Sequence, residues 1–441
     1  MGGIKFMTKD INLCVEHVTR VEGHGNIVLD TKKGKIEKIQ WQIPEAPRFF
    51  EAMLRGRHYY ELRTITSRIC GICSIGHSLA SLKATEDAMG IYISDQSEIL
   101  RRLSLNAENM QSHILHVGYL ALPDLLGVGS VFPLVKSEHK DSLLKVVRLH
   151  RLSNSMSDLI CGRTTHPIRL VVGGFSAIPS EKQLLQLQKE LKENIKTTQE
   201  LAKVIHSVVK NFPDFKRETE YIGLTSNEEY ALYHGVIAST DTGKFTDYKN
   251  YQKIMNEYFV PQSTALHAKH NRESYMVGAL ARFNLNSRYL HPKSKEIAEM
   301  FKLKPIDYNP FMNNIAQLVE FVHNIEDSIL QIDKLLYKKI ADEKPKKVNL
   351  KAGRGVGIVE VPRGILVHDY TFNDRGKCQK ANCIIPTNQN HANIQKDMEM
   401  LVPKILDKSK KEIELNLEML VRAYDPCISC STHYLKVDFV K

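Results

Sequence analysis

"RICGICSIGH" at residues 68–77 and "DPCISCSTH" at residues 425–433 carry the same pattern, two cysteines three positions apart followed by a histidine. The first pair is Cys70 and Cys73, and the second is Cys427 and Cys430, near opposite ends of the 441-residue chain. Four cysteines in two such pairs can surround one metal centre. We therefore expect a fold that brings the two ends of the chain together at a single site.

The simplest alternatives for the cysteine pairs are a structural zinc site and a redox-active dithiol. Zinc ribbons usually separate their pairs by about 15–20 residues, far less than the separation here. A thioredoxin-like dithiol would account for one pair but not for two, and no βαβ pattern lies beside either pair. Each pair alone is a weak indication, but together they favour a shared metal centre.

The composition indicates a globular protein and excludes several classes. Lys and Arg exceed Asp and Glu by 61 to 50, but the excess is scattered and forms no basic stripe with stacking aromatics, so we expect no nucleic-acid binding. No signal peptide and no apolar run long enough to span a bilayer is evident, which predicts a soluble, cytoplasmic protein. Eight cysteines are too few for a disulfide scaffold in a chain of this size, and they point to metal or redox chemistry instead.

The hydrophobic patterns predict a mainly α (α+β) protein that forms one domain over residues 1–441, with a central bundle of long helices. Alternating apolar residues predict a hairpin over 26–43 that turns at Lys33-Gly34, and a second β region over 357–386 that turns at 374–376. These small β regions lie near both ends. Helices are predicted over 95–122, over 138–160, from the N-cap Ser180, from about Pro310 and over 411–424. The last helix cannot continue through Pro426, so Cys427 should follow its end.

Taken in order, the motifs resemble the large, catalytic subunit of nickel–iron hydrogenases. The two cysteine segments resemble the two signature motifs of that family. Between and before them, the resemblance continues through "HVTRVEGHG" (17–25), "RFFEAMLRGR" (48–57), "GRTTHP" (162–167), "VPRG" (361–364) and "PTNQN" (386–390). The resemblance covers essentially the whole chain. It implies the fold of that large subunit and, as its activity, the reversible heterolytic cleavage of H2.

The resemblance also implies how the metals are held. Cys70 and Cys427 would be terminal nickel ligands, and Cys73 and Cys430 would bridge nickel to an iron that carries carbon monoxide and cyanide. Thiolates are soft ligands that suit both metals. The residues that match positions around this cofactor are Pro362, Arg363, Thr387, His77 and His166. Without the thiols, Arg363 would be interpreted as a surface arginine at a strand end, and either histidine as a core residue.

Heterolytic cleavage leaves a proton that needs a base within hydrogen-bond reach. By resemblance, Cys427 or the Arg363 guanidinium would take it first, and Glu22 would be the carboxylate that relays it. From the sequence alone Glu22 could equally be an exposed acid at a strand start. Asp425 is expected either to position Arg363 or to cap the local backbone.

A second, hard-cation site is implied near the C-terminus. Glu51 and His433 match its side-chain ligands, and the Cys383 carbonyl is a possible third. The resemblance implies magnesium or iron as the ion. Because an imidazole is an unusual ligand for magnesium, the sequence leaves the choice between the two open. The family also implies a maturation endopeptidase that removes residues 434–441, so that the mature chain would end at His433.

Electrons need a conduit that this chain lacks, because no spacing among Cys14, Cys161, Cys378 and Cys383 matches an iron–sulfur motif. We therefore expect a partner in the form of an iron–sulfur small subunit. The sequence favours the F420-non-reducing type of hydrogenase, which works in methanogenesis and passes electrons to a heterodisulfide reductase through an iron–sulfur adaptor. Sulfur-reducing and NAD(P)-linked hydrogenases are close rivals, and a complex I-type core subunit or a structural zinc protein is a remote one.

Overall fold

Helices occupy most of residues 50–208 in this computed structural model, which describes residues 10–433. Local sequence sets where they begin: the Ser180 side chain accepts the N–H of Gln183, whose side chain accepts the N–H of Ser180. The helices are α1 (Phe50–Leu54), α2 (Tyr59–Thr66), α3 (Ser74–Met89), α4 (Asp95–Leu115), α5 (Leu122–Leu125), α6 (Lys140–Cys161), α7 (Glu181–Val208), α8 (Ala279–Asn286), α9 (Pro292–Met300), α10 (Asn313–Lys338), α11 (Pro386–Leu401), α12 (Lys410–Ala423) and α13 (Ile428–Ser431).

The predicted bundle of long helices is confirmed. Helix α4 packs against α6 and α10, and α7 packs against the same two helices. The five predicted helices correspond to α4 with its π-helical continuation, α6, α7, α10 and α12. Helix α3 was not predicted from its pattern. Almost all of its residues are buried, so it has no polar face to produce a helical period.

The strands form small sheets around this bundle. Strands β1–β2–β3 form one antiparallel sheet, β12–β13–β14 another, and β11–β6–β7–β8 a mixed one in which β11 runs parallel to β6. The strands are β1 (Ile11–Val15), β2 (Asn26–Lys32), β3 (Lys35–Gln42), β4 (Leu170–Val171), β5 (Gly174–Phe175), β6 (Glu220–Thr225), β7 (Val236–Ser239), β8 (Gly243–Phe245), β9 (Asn256–Tyr258), β10 (His267–Lys269), β11 (Tyr275–Met276), β12 (Gly353–Val361), β13 (Gly364–Phe372) and β14 (Cys378–Ile384).

Both predicted β regions are present, as β2–β3 and as β12–β14. The sheet around β6 lies in the middle of the chain, where the sequence patterns predicted no strands. All six residues of β6 are buried, so its sequence lacks the alternation of buried and exposed residues that reveals a half-exposed strand.

Close packing of α3 on strand β12 positions the site. Gly355 and Gly357 allow the contact, since a Cβ on either would overlap a carbonyl oxygen of α3, those of Ala84 and Ala80 respectively. Helix α3 begins next to Cys73, and the β12–β13 turn contains Arg363. The packing therefore brings the first thiol pair and Arg363 to the same region.

The two ends of the described chain meet. Glu22 forms a parallel β-bridge with Cys427, and the Arg48 N–H donates to the Thr432 carbonyl at 2.7 Å. One hydrophobic core cluster runs from Ile11 to Cys430, as a single domain requires, and the one-domain assignment stays a prediction. None of the helices in residues 10–433 combines the length and apolar character needed to cross a membrane. The segment predicted to be removed, 434–441, lies outside the described residues.

Candidate metal centre

The first thiol pair lies where a loop enters a helix. Helix α2 ends at Thr66, and Cys73 is the N-cap residue of α3. The Cys73 backbone N–H donates to Cys70 Sγ at 3.2 Å. A hydrogen bond between the two side chains lowers the pKa of the Cys70 thiol and raises that of Cys73 well above its ordinary value. Cys70 is therefore the thiol of this pair that ionises first.

The second pair follows the end of α12. Asp425 has a left-handed backbone (φ 50°), which turns the chain before Pro426. The N–H of Cys427 donates to the Thr387 hydroxyl at 3.0 Å, and Cys427 is the N-cap residue of α13. In this structure the sulfurs of Cys427 and Cys430 are joined as a disulfide. As thiolates, both side chains can serve as metal ligands.

The two pairs converge in one buried cluster. Cys70 Sγ lies 3.5 Å from Cys427 Sγ, and Cys73 Sγ lies 4.0 Å from Cys430 Sγ. All four sulfurs lie within 4.8 Å of one another, and none of the four residues is more than 5% exposed. Sulfurs that share one metal at a bond length of about 2.3 Å are separated by about 3.8 Å in tetrahedral geometry. Four buried sulfurs brought this close together are a donor set that suits a soft metal ion.

A fixed guanidinium lies beside the thiols. Arg363 is buried, and it donates from Nε to the Asp425 carbonyl at 2.6 Å and from Nη2 to Asp425 Oδ1 at 2.9 Å. Burial disfavours its charge, but Asp425 and the thiols of Cys73 and Cys70 more than offset this and raise its pKa. The third nitrogen, Nη1, is buried without a hydrogen-bond partner in residues 10–433. A small ligand that offers an acceptor would satisfy it.

Glu22 contacts the second thiol pair directly. Its Oε2 atom lies 3.1 Å from Cys427 Sγ and accepts the Ser429 N–H at 3.1 Å. Its carbonyl accepts the Ile428 N–H at 2.9 Å. Glu22 is partly buried, so it is not a freely exposed acid. Its carboxylate is within the distance at which a proton can pass to or from the Cys427 sulfur.

The other residues predicted around the cofactor make different contacts. Thr387 contacts the Cys427 backbone, whereas the Pro362 carbonyl accepts from Arg282 at 3.1 Å. His77 Nδ1 pairs with His368 Nε2 at 3.1 Å, and burial lowers the pKa of His77 well below its ordinary value.

His166 lies against the first thiol loop. Its backbone N–H donates to the Ser74 hydroxyl at 2.9 Å, and its Nδ1 pairs with the Ser67 carbonyl at 2.9 Å. Across the described chain, neither His166 nor His77 hydrogen-bonds a sulfur of the cluster.

The three groups predicted for a hard cation lie together. His433 Nε2 is 2.8 Å from the Cys383 carbonyl oxygen and 3.6 Å from Glu51 Oε1. Glu51 Oε1 also accepts the Cys383 N–H at 2.8 Å. Burial raises the pKa of Glu51 even though His433 opposes it. Two oxygen donors therefore lie within 3.6 Å of one imidazole nitrogen, and the other nitrogen of that ring contacts the Cys430 carbonyl.

Two residues at the site were not singled out from the sequence. Glu108 of α4 accepts the N–H of Ile75 at 2.6 Å and that of Gly76 at 3.0 Å, at the start of α3. Burial raises the pKa of Glu108 to about 8, although these two hydrogen bonds act to lower it. Arg48 donates to the carbonyls of Ile69 and Ser429. Arg48 belongs to the motif "RFFEAMLRGR", which was the only indication of it, and no local pattern indicates Glu108.

Comparisons with known proteins agree on one family. Residues 48–142 and 311–433 match the family model described as nickel-dependent hydrogenase. The chain is 32% identical over 429 residues to the alpha subunit of sulfhydrogenase 1 of Pyrococcus furiosus, covering 96% of this chain and 98% of that protein. It is also 32% identical over 461 residues to one of the subunits of the F420-non-reducing hydrogenase vhc of Methanococcus voltae, covering 97% and 95%.

A solved structure supports the fold. An NAD+-reducing NiFe hydrogenase in the H2-reduced state superposes with a TM-score of 0.86 and 24% sequence identity, covering 96% of this chain and all of that one. At this identity the similarity shows the fold alone. The architecture predicted from the motifs is therefore confirmed.

Proposed function

This chain belongs to the nickel-dependent hydrogenase family and is a catalytic large subunit, and from that premise we propose that its four converging cysteines hold a nickel–iron centre. Cys70 and Cys427 would bind nickel terminally, and Cys73 and Cys430 would bridge it to iron. The single observation that supports this proposal most is the buried cluster of four sulfurs, all within 4.8 Å of one another. When bound, the two metals would supply the site at which H2 is cleaved heterolytically.

We propose that Arg363 orients the small ligands of the iron and the substrate pocket. Asp425 holds its guanidinium at two points, and the Gln317 amide donates to the other carboxylate oxygen of Asp425 at 3.0 Å. This arrangement leaves Nη1 unpaired among the described residues, available to a carbon monoxide or cyanide acceptor. Thr387 and the Pro362 turn would border the same pocket, with His77 and His166 behind the first thiol loop.

Proton transfer would begin at Cys427 or Arg363 and continue to Glu22. The distance of 3.1 Å from Cys427 Sγ to Glu22 Oε2 supports Cys427 as the first acceptor, since it lets the carboxylate take the proton directly. Glu22 is partly exposed, whereas the Cys427 sulfur that it contacts is buried. It would therefore be the first carboxylate of the exit route.

Glu51, His433 and the Cys383 carbonyl would hold a magnesium or iron ion. The Cys383 carbonyl and Glu51 Oε1 lie 2.8 and 3.6 Å from His433 Nε2, close enough for the three groups to share one cation once it displaces the His433 hydrogen bond. His433 Nδ1 pairs with the Cys430 carbonyl at 3.0 Å. Such an ion would therefore link the C-terminal ligand to the sulfur cluster.

An iron–sulfur small subunit would carry the electrons away. The remaining cysteines of this chain do not gather into a second cluster within residues 10–433, which supports a conduit on another chain. The two similar hydrogenase proteins named above are each one of several subunits, as expected for a chain that works with partners. For the acceptor, we propose a heterodisulfide reductase reached through an iron–sulfur adaptor, with sulfur or NAD(P) as the alternative acceptors.

Metal analysis of the complex purified from its native cells tests this proposal. Nickel and iron near one each per chain, besides the partner's cluster iron and any ion at the Glu51 site, together with infrared bands of bound carbon monoxide and cyanide, are expected. H2-dependent reduction of a viologen dye should accompany them. Zinc alone, or no metal in the cysteine cluster, would refute the proposed centre. The proteins that copurify with the chain would identify the acceptor.

A further inference from the structure

Arg48 forms hydrogen bonds with both loops that carry the thiols, residues 68–73 and 427–433. Its Nη2 donates to the Ile69 carbonyl at 2.7 Å, immediately before Cys70, and to the Ser429 carbonyl, between Cys427 and Cys430. Its backbone N–H donates to the Thr432 carbonyl at 2.7 Å. One residue from a third segment of the chain therefore connects the two loops that supply the sulfurs.

Direct hydrogen bonds between the two loops are few. Within the described part of the chain, the direct hydrogen bonds between 68–73 and 427–433 all involve sulfur atoms: Cys70 with Cys427, Cys73 with Cys430, and Cys430 with the Ile69 carbonyl. Hydrogen bonds of sulfur are weak, so these contacts alone hold the loops together only loosely before metal binding. Arg48 provides a link between the two loops that does not depend on the sulfurs.

We propose that Arg48 is a positioning residue that holds the C-terminal thiol loop (427–433) against the N-terminal one (68–73) and so sets the spacing of the two cysteine pairs. We call its contacts with the two loops the Arg48 latch. This inference rests on the proposed nickel–iron centre. The latch acts on the carbonyls beside the ligands and not on the sulfurs, so it can form with or without metal. It would favour the docked arrangement and keep the pairs in register for a shared centre.

Arginine suits this role better than lysine. A guanidinium presents several donors in one rigid plane, whereas an ammonium is a flexible point charge. The Arg48 guanidinium also lies 5.2 Å from the centre of the Phe50 ring, a cation–π contact that restrains it. Lysine at this position should therefore restore part of the latch but not all of it.

The protein contains its own reporter for docking of the C-terminal loop. Trp41 is its single tryptophan and is buried. Its indole N–H donates to His391 Nδ1 at 3.0 Å, and His391 Nε2 pairs with the Ser431 hydroxyl at 3.0 Å. If the loop leaves, His391 loses this partner. The emission of Trp41 and its quenching by acrylamide should then change.

The test compares Arg48→Met and Arg48→Lys with a matched control, Arg57→Met. Arg57 is exposed, and among residues 10–433 its side chain makes only a 3.7 Å ion pair, with Glu61. Each variant is expressed in the native host and purified with its companion subunits. Measurements are nickel per chain, the electron paramagnetic resonance spectrum of nickel, Trp41 fluorescence and the melting temperature.

Arg48→Met should lower nickel content about tenfold or more, because it removes charge-assisted hydrogen bonds to both loops. Trp41 should become more accessible to quencher in the same variant. Arg48→Lys should give intermediate nickel content with an altered nickel spectrum, and Arg57→Met should match the wild type.

Wild-type nickel content, spectrum and Trp41 quenching in Arg48→Met would overturn the latch. If that variant does not fold, a wild-type nickel spectrum and content in Arg48→Lys would overturn it. A lower melting temperature with unchanged nickel would assign Arg48 a purely structural role, which also overturns it. Absence of nickel from the wild type itself would instead refute the proposed function.

Discussion

Replacing Glu22 by glutamine removes a base from the proposed proton route but keeps the size and shape of the side chain. The glutamine side chain has the same length, and its carbonyl oxygen can still accept the Ser429 N–H that Glu22 Oε2 now accepts at 3.1 Å. The backbone bridge between Glu22 and Cys427 does not depend on the side chain. The loop that carries Cys427 and Cys430 should therefore stay in place, and the metal content should be unchanged.

The expected loss is that of a general base. A positioned base contributes about 10²- to 10⁴-fold to a proton-transfer step, which corresponds to about 3–5 kcal/mol. The distance of 3.1 Å from Glu22 Oε2 to Cys427 Sγ means that direct transfer is possible in the wild type. An amide cannot accept that proton. Glu22→Asp should be intermediate, since one methylene less withdraws the carboxylate by about 1.5 Å and a water molecule can fill the gap.

Isotope exchange between D2 and water is the assay of choice, because it requires proton movement but no electron acceptor. Glu22→Gln should retain nickel and its infrared bands but exchange about 10²-fold more slowly or worse. Glu45→Gln is a matched control, since Glu45 Oε2 accepts the His24 N–H at 3.1 Å and bonds no cysteine in the described structure. Exchange at the wild-type rate in a nickel-replete Glu22→Gln enzyme would refute the assignment of Glu22 as the relay.

Four further outcomes are expected. Cys427→Ala should abolish nickel retention in metal analysis, and a full complement of nickel would contradict its role as a ligand. Asp425→Asn should keep nickel but slow H2 oxidation about 10- to 100-fold, since the Arg363 guanidinium loses a charged partner; a rate within about twofold of wild type would oppose this. The folded-state pKa of Glu108 is about 8, above its ordinary 4.5, so its ionisation destabilises the fold. We expect the free energy of unfolding of the metal-free wild type, measured in urea, to fall by about 4–5 kcal/mol relative to that of Glu108→Gln as the pH rises from about 4.5 to about 8. Parallel pH profiles of the two proteins would refute this. The intact mass of active enzyme should match a chain that ends at His433, and a mass including residues 434–441 would contradict this.

The sequence by itself determined the chemistry of the donors and the long helices. Two cysteine pairs with trailing histidines identify a soft metal site wherever the chain places them, because ligand type depends on the side chain and not on the fold. The helices α6, α7 and α12 have an exposed polar face opposite a buried one, so their period is visible in the sequence. The cap at Ser180 is likewise local chemistry.

Two elements buried on almost every side escaped prediction. Helix α3 and strand β6 have almost no exposed residues, so neither shows the alternation between polar and apolar positions that marks a helix or strand. Their structure is fixed by what packs around them. The contact of α3 with Gly355 and Gly357 of β12 is an example, since it depends on two segments far apart in the chain.

Only the tertiary structure decided which side chains serve the sulfurs. Arg48 reaches carbonyls on two distant loops, Glu108 accepts two N–H groups from another helix, and His77 pairs with His368 instead of a sulfur. Each of these contacts joins residues far apart in sequence, where periodicity and local propensity carry no information. The physical reason is that donor identity is a property of one residue, whereas the positions of its neighbours are a property of the packed chain.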